Sequence, residues 1–293
     1  MTKNIKRLLV LTLLFTLLIL YIKESNLIIK EFLSYTNLFI TKLLPSVFII
    51  YILSDLLINY GIINLLKKIT KYPTTIYILL ISLISGFPSG PKTIKNLNEQ
   101  KYISEEESNK LIKSTHFPNP IFTFSTISLI TKNINIIYIS IILSNLIILI
   151  KNKPKSNNNL PNIKEKDFTT TLSNSIIKTL KIIILIYGTS IFFYLISIII
   201  LNYLNTKKLY IIINILFDLT KGIQTTSLIT NQTIKDLIII LLLTISPLNI
   251  NIQIKSILSD TNIKYKSFIK GRVISSILTI IFYFILKIRI LSC

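Results

Sequence analysis

Twelve apolar-dominated residues, Thr74 to Ser85, run uncharged into Ser85-Gly86-Phe87-Pro88-Ser89-Gly90-Pro91-Lys92. A helix over those residues extends about 18 Å at 1.5 Å per residue, short of the roughly 30 Å of hydrocarbon in a bilayer. A helix that stops part-way leaves backbone N–H and C=O groups without partners, and lipid offers none. The break must therefore be enclosed by protein or face a water-filled cavity, which predicts an interior site. The plainer reading, a tight loop leading from a short helix to the surface, stays open at this stage.

That argument presumes a membrane chain, and composition supplies one. Of 293 residues 51% are hydrophobic, and they fall in blocks instead of at the spacing of a soluble helix. Ala and Trp are absent while Ile, Asn and Lys abound, a skew that AT-rich coding explains, so part of the formal charge of +21 is codon bias. No nucleic-acid partner is expected. The basic residues are scattered over short connections without an aromatic-lined groove, and the lipid bilayer itself supplies counter-charge. Cys293 is the single cysteine and His116 the single histidine, which excludes an intrachain disulfide and any Cys- or His-cluster metal site. The chain has no Walker or Rossmann glycine loop and no Ser-His-Asp spacing, so no catalytic residue, no cofactor and no enzymatic activity are expected.

Lys3, Lys6 and Arg7 precede the apolar run Leu8 to Ile22, and no small-x-small site follows. The expectation is an uncleaved first span over residues 1–26 with its N-terminus in the cytoplasm. Residues 27–150 read as a first membrane repeat. It contains an apolar segment from Leu38 to Ile58 carrying Asp55, then Lys67, Lys68 and Lys71, then the half-helix of residues 74–90. A surface helix follows, with Ser104 and Glu107 spaced as a capping box and Glu106 and Lys110 as an i,i+4 pair. A second break, Phe117-Pro118-Asn119-Pro120, precedes Ile121 to Ile130 and a span from Ile134 to Ile150.

Residues 151–167 form a hydrophilic linker, and residues 168–293 read as a second repeat. A long apolar run, Ile182 to Leu204, opens it. Leu209 to Phe217 is a short helix ending in Asp218-Leu219-Thr220-Lys221-Gly222, Leu237 to Ser246 breaks at Pro247-Leu248-Asn249, and a final span follows Gly271-Arg272. The fold class expected is an all-α polytopic membrane protein with two inverted repeats, each holding a short re-entrant or broken helix pair. Paired interrupted segments of this kind point to a binding site at the membrane midplane. The count is either seven spans plus two half-helices or nine shorter spans.

In the first half Gly86-Phe87-Pro88-Ser89-Gly90-Pro91-Lys92, then Ile103-Ser104-Glu105-Glu106-Glu107, then Asn119-Pro120 stand in a familiar order. In the second half Leu216-Phe217-Asp218-Leu219-Thr220-Lys221-Gly222-Ile223 precedes Gln253, Ser256-Ile257-Leu258, Tyr265-Lys266 and Gly271-Arg272. Over most of residues 38–290 the chain resembles bacterial integral membrane proteins with paired nucleoside-recognition (Gate) domains, and within them the sporulation membrane proteins of the YlbJ type. It departs from them at Ser246-Pro247-Leu248-Asn249-Ile250, where that group carries a glycine pair followed by Leu-Ser, and its loops are shorter. The resemblance implies a multi-pass cell-membrane protein of an endospore-forming bacterium, needed in spore development, with a transporter-like fold.

The residues expected to bind a solute are Gly86, Phe87, Pro88, Ser89, Gly90, Lys92, Asn119, Pro120, Asp218, Thr220, Gly222, Ser246, Asn249 and Gln253. Asp55 and Asp218 lie at membrane depth, where an acid must face the interior, and Lys221 is the local partner expected for Asp218. Asp236 reads as an N-terminal dipole partner, and His116 as structural. Two functions compete. One is a permease-like protein for a small polar solute, nucleoside-like by the family name alone. The other is a structural or assembly protein of the spore envelope, partnered by a second copy or another envelope protein.

Overall fold

The computed structural model describes residues 3–152, 167–203 and 206–291, and every element among them is helical. Most of the linker expected at residues 151–167, and Cys293, lie outside the described residues. Helix α1 (Lys3–Lys23) meets α2 (Ser25–Leu38) at a bend of 92°. From α2 the chain continues without a loop through a π-helical turn, Phe39–Leu43, into α3 (Leu44–Asn59). Pro45 explains that turn: it has no N–H for the helical ladder, and the wider turn absorbs the missing bond. The partly polar stretch before Asn37 is thus helix.

A short α4 (Ile62–Lys67) leads to α5 (Pro73–Ser85), which stops at Gly86 with φ +72°. After Phe87 and Pro88, joined by a cis peptide bond, α6 (Ser89–Glu99) begins. The surface helix α7 (Glu105–Leu111) carries the expected capping box, Ser104 with Glu107, and the expected ion pair of Lys110 with Glu106 at 2.6 Å. Asn119 caps α8 (Pro120–Ser125), a 3-10 turn (Ile127–Leu129) follows, and α9 (Ile134–Lys151) closes the first half.

The second half opens with α10 (Phe168–Tyr203), whose 36 residues extend about 54 Å. It begins fourteen residues before the apolar run that marks it in the sequence, with Thr171, Ser175 and Thr179 buried on one face and Ser173, Asn174, Lys178 and Lys181 exposed on the other. Helix α11 (Lys207–Phe217) stops at Asp218, which caps α12 (Leu219–Thr225), and a 3-10 turn (Thr226–Leu228) follows. Helix α13 (Gln232–Thr244) is separated from α14 (Leu248–Ile257) by Ile245-Ser246-Pro247, with Ser246 at φ +66°. Gly271-Arg272 lies inside α15 (Tyr265–Leu291) and does not precede it.

Among the described residues four helical stretches are long and apolar enough to cross a membrane, α9, α10, α15 and α13 taken together with α14, or five if the bent α1–α2 pair counts as one. The count is below seven because the breaks cut the remaining apolar helices to 10–17 residues. Helices α9 and α15 run antiparallel. Ser144 meets Thr279 at 2.8 Å in the middle, Asn145 meets Arg272 at 3.0 Å towards one end, and Asp236 binds Asn133 and Tyr283 at the other. Helices α3 and α10 are also antiparallel, with Asp55 opposite Ser175.

Two ends of the bundle follow from these pairings. At one end the α6–α7 turn meets the α14–α15 loop, through Lys95 with Asp260 at 3.6 Å and Lys264 N–H with Asn109 at 2.8 Å. At the other end Thr131 and Asn133 each donate to Asp236 at 2.6 Å. Asp236 also accepts from the Tyr283 hydroxyl at 2.6 Å and from Gln232 at 3.0 Å, and it is fully buried. Its reading as a dipole partner is corrected here: it lies beyond the first turn of α13 and ties three segments together. One glycine sets how close the bundle packs. A Cβ on Gly271 meets the Lys113 backbone oxygen at 2.3 Å, whereas a Cβ on Gly188 meets nothing within 4 Å. Gly271→Leu is therefore expected to abolish the monodisperse folded protein in detergent, and Gly188→Leu to retain it, as read by size-exclusion chromatography.

Candidate functional site

The three breaks of the chain converge, and each leaves backbone carbonyls in an apolar interior where an unpaired one is costly. At the first, Asn119 donates from Nδ2 to the Ser85 carbonyl at 3.1 Å while its Oδ1 accepts from Phe122 N–H at 3.2 Å. One side chain thus closes the end of α5 and caps the start of α8. The Ser89 hydroxyl donates to the Gly86 carbonyl. The approach is so close that a Cβ on Gly86 lies 2.3 Å from Asn119 N, and one on Gly90 lies 2.1 Å from the Thr115 oxygen.

At the second break, the Asn251 amide donates to the carbonyls of Ile245 at 3.2 Å, Ser246 at 2.7 Å and Pro247 at 3.1 Å. The third set of carbonyls, ahead of Pro118, is held by Arg272. Its guanidinium is fully buried and donates to Lys113 O at 2.6 Å, His116 O at 3.3 Å and Asn145 Oδ1 at 3.0 Å. His116 Nε2 lies 2.8 Å from the Ser246 hydroxyl, and its ring stacks on Phe87 with centroids 4.5 Å apart. This contact joins the breaks of the two halves directly.

Asp218 is the charged centre. Its Oδ1 accepts from Lys221 N–H at 2.8 Å, and Oδ2 accepts from the Tyr35 hydroxyl and the Asn249 amide, both at 2.9 Å. The ammonium of Lys221 is not its partner, as the sequence implies; it lies over the Tyr194 ring at 5.2 Å, and the backbone N–H makes the bond instead. Behind Asn249, Ser190 accepts from Asn249 at 3.3 Å and from Gln253 at 3.0 Å. The Gln253 carbonyl oxygen Oε1 is buried without a partner. Tyr35 stacks on Tyr194 at 4.7 Å, and the Tyr194 hydroxyl donates to Glu31.

These groups surround a cavity of about 70 Å³. Of the predicted residues, Phe87, Pro88, Asn119, Thr220, Asn249 and Gln253 line it. Asp218 adjoins it through Tyr35 and Asn249. Gly86, Ser89, Gly90 and Pro120 shape the break beside it, and Ser246 holds His116. Gly222 lets α12 lie against α11, since a Cβ there meets Asn214 O at 3.1 Å. Lys92 does not reach the cavity: its ammonium lies 4.2 Å from the Tyr51 ring centroid, one helical turn further along α6. The sequence reading missed Tyr35, Ser190 and Phe122, which also line it, and the apolar wall of Phe39, Leu43, Val47, Ile186, Leu219 and Ile250. Only an alternation of small polar residues along α10 hinted at Ser190.

Over 93 residues, 29% of its length, the chain is 30% identical to the sporulation integral membrane protein YlbJ of Bacillus subtilis (strain 168). The likeness is to a sporulation membrane protein. It spans 23% of YlbJ, so what the whole of YlbJ does is not transferred by it. No family model matches the chain, and no solved structure matches it. This partial likeness and the four apolar helical stretches long enough to cross a membrane agree with the resemblance that the motifs carry.

Replacing Asp218 with Leu removes the acceptor for Tyr35, Asn249 and Lys221 N–H together. A loss of about 2–4 kcal/mol is expected, since each buried donor left unpaired costs roughly 1–3 kcal/mol and the cavity lets water reach some of them. Asp218→Asn keeps an acceptor and is expected to lose less than half as much, both read from denaturant unfolding in detergent.

Proposed function

We propose that this protein is a permease-like membrane protein that holds a small polar solute in the cavity where its helix breaks meet. The observation that carries this reading is that breaks from both halves of the chain supply the lining: Phe87, Pro88 and Asn119 from the first, Thr220, Asn249 and Gln253 from the second. Interrupted helices meeting at mid-depth are the arrangement by which transporters expose irregular backbone to a solute. The polar groups facing the cavity are amides and hydroxyls, and the walls are aromatic and aliphatic. Such a site suits a small neutral solute that offers an apolar surface and a hydrogen-bonding edge.

The two halves fit an inverted pair. The unit α5–α6 corresponds to α11–α12, the broken α7–α8 to α13–α14, and α9 to α15. Lys95, Lys101, Lys110, Lys113, Lys255, Lys264, Lys266 and Lys270 gather at the α6–α7 and α14–α15 end, whereas the Asp236 end carries Lys132, Lys235, Lys287 and Arg289, together with Lys207 and Lys208 at the start of α11. By the positive-inside rule the first end is cytoplasmic. Single cysteines at Glu99, Asn262 and Ser227, all exposed, test this in a Cys293→Ser background. An impermeant thiol reagent is expected to label Ser227→Cys on intact cells, and the other two only after permeabilisation. Labelling of all three from one side removes the inverted arrangement.

A second reading has its own support. Asp218 is saturated by groups of the chain itself, as in a fold retained for an envelope-assembly role without a transported solute. Thr220→Val and Gln253→Leu separate the two readings. If the cavity holds a solute, both variants fold normally and lower solute accumulation and sporulation by about tenfold, the worth of one or two lost hydrogen bonds. Normal sporulation by both, together with a co-purifying envelope protein, would favour the assembly role.

A further inference from the structure

Away from the central cavity, a buried cation stands without a hydrogen-bonding partner. Lys92 is 4% exposed, and its Nζ makes no hydrogen bond. The carboxylate nearest in charge, Asp55, is already engaged. Its Oδ1 accepts from Asn96 at 3.1 Å, and its Oδ2 accepts from Ser175 at 2.7 Å and Asn59 at 3.3 Å, with Lys178 Nζ at 3.9 Å. One carboxylate therefore faces two ammonium groups, and the buried one is left in surplus. An uncompensated charge in an interior is costly unless an opposite charge joins it.

Two further polar atoms beside it are also buried and unpartnered: the Tyr51 hydroxyl and the Thr179 hydroxyl. Tyr51 precedes Asp55 by one turn of α3, and its ring carries the Lys92 ammonium at 4.2 Å. Thr179 follows Ser175 by one turn of α10. Because α3 and α10 are antiparallel and Ser175 bonds Asp55, Thr179 falls opposite Tyr51. The register of the two helices thus puts Thr179 at the level of Tyr51 and Lys92 in the α3–α6–α10 seam. A polar cleft of about 430 Å³, lined by Asp55, Thr171, Asn174 and Lys178, opens the seam to solvent one turn away.

We propose that Lys92, Tyr51 and Thr179 bind a small monovalent inorganic anion of the chloride type. The ammonium supplies charge, the two hydroxyls supply directed O–H donors, and Asp55 excludes larger polyanions by occupying the approach. The site is separate from the central cavity and does not depend on what that cavity holds.

Binding of radiolabelled chloride to the full chain in detergent, with gluconate holding ionic strength constant, tests the proposal. The expected result is saturable binding of about one ion per chain, weakened roughly tenfold by Tyr51→Phe and by Thr179→Val, each of which removes one charge-assisted hydrogen bond. Lys92→Met is expected to abolish it, and Lys132→Gln, exposed at the opposite end, to leave it unchanged. Absence of saturable binding by the wild type, meaning that water alone fills the site, overturns the proposal. If Lys92→Met does not fold, the two hydroxyl variants decide, and wild-type affinity in both overturns it as well.

Discussion

Every helix that stops inside this bundle leaves carbonyl oxygens behind, and the rest of the structure depends on how they are paired. Asn119 holds the end of α5, Asn251 holds the end of α13, and Arg272 holds the chain before Pro118. An apolar surrounding gives these bonds their weight, because water is not there to replace them. Asn119 and Asn251 are short side chains with a planar donor, so each fixes a break to within a hydrogen-bond length. Arg272 does so from a distance, reaching from α15 to two carbonyls with one rigid fork. The close approaches at Gly86, Gly90 and Gly271 follow from the same need: the partner can bond only if no Cβ intervenes.

Buried acids organise the levels of the bundle. Asp236 ties the loops at one end, Asp55 ties α3, α6 and α10 towards the other, and Asp218 stands between them beside the cavity. Each accepts several neutral donors, and among the described residues the one ion pair they make is the 3.9 Å contact of Asp55 with half-exposed Lys178. This pattern spreads a negative charge over amide and hydroxyl dipoles, which costs less desolvation than burying two ions. It also explains why Asp218 can neighbour an otherwise apolar cavity: its charge is already met before any solute arrives. The cavity is thereby left for hydrogen bonding, with Gln253 Oε1 as its unpartnered acceptor.

Much of the framework was legible in the sequence, and the reasons are local. Gly86, Pro88, Pro120 and Pro247 interrupt helices, so α5, α8 and the α13–α14 break were placed to within a few residues, and Asp218-Leu219-Thr220 marked the end of α11. The Ser104–Glu107 box needs only its own four residues, and it formed as expected. Long-range pairings were not legible. Nothing near Asn251 or Arg272 announces which carbonyls they hold, and Tyr35 lay in a stretch that reads as partly polar. Asp236 read as a dipole partner because its position on α13 could be estimated only from hydropathy, which began the helix too late. Lys92, grouped with the Gly86–Gly90 motif by adjacency, stands one helical turn beyond Pro88, and its long side chain carries the ammonium on to the Tyr51 ring.

The contact of His116 with Ser246 is where the break of one half touches the break of the other, so coupling between them tests the account most directly. A double-mutant cycle of His116→Phe and Ser246→Ala, followed by denaturant unfolding of the purified protein in detergent, measures it. The structure predicts a coupling of about 1 kcal/mol, the worth of a buried hydrogen bond that neither single variant retains. Additivity within roughly 0.3 kcal/mol would show that the two breaks do not meet, and the shared cavity would lose its foundation.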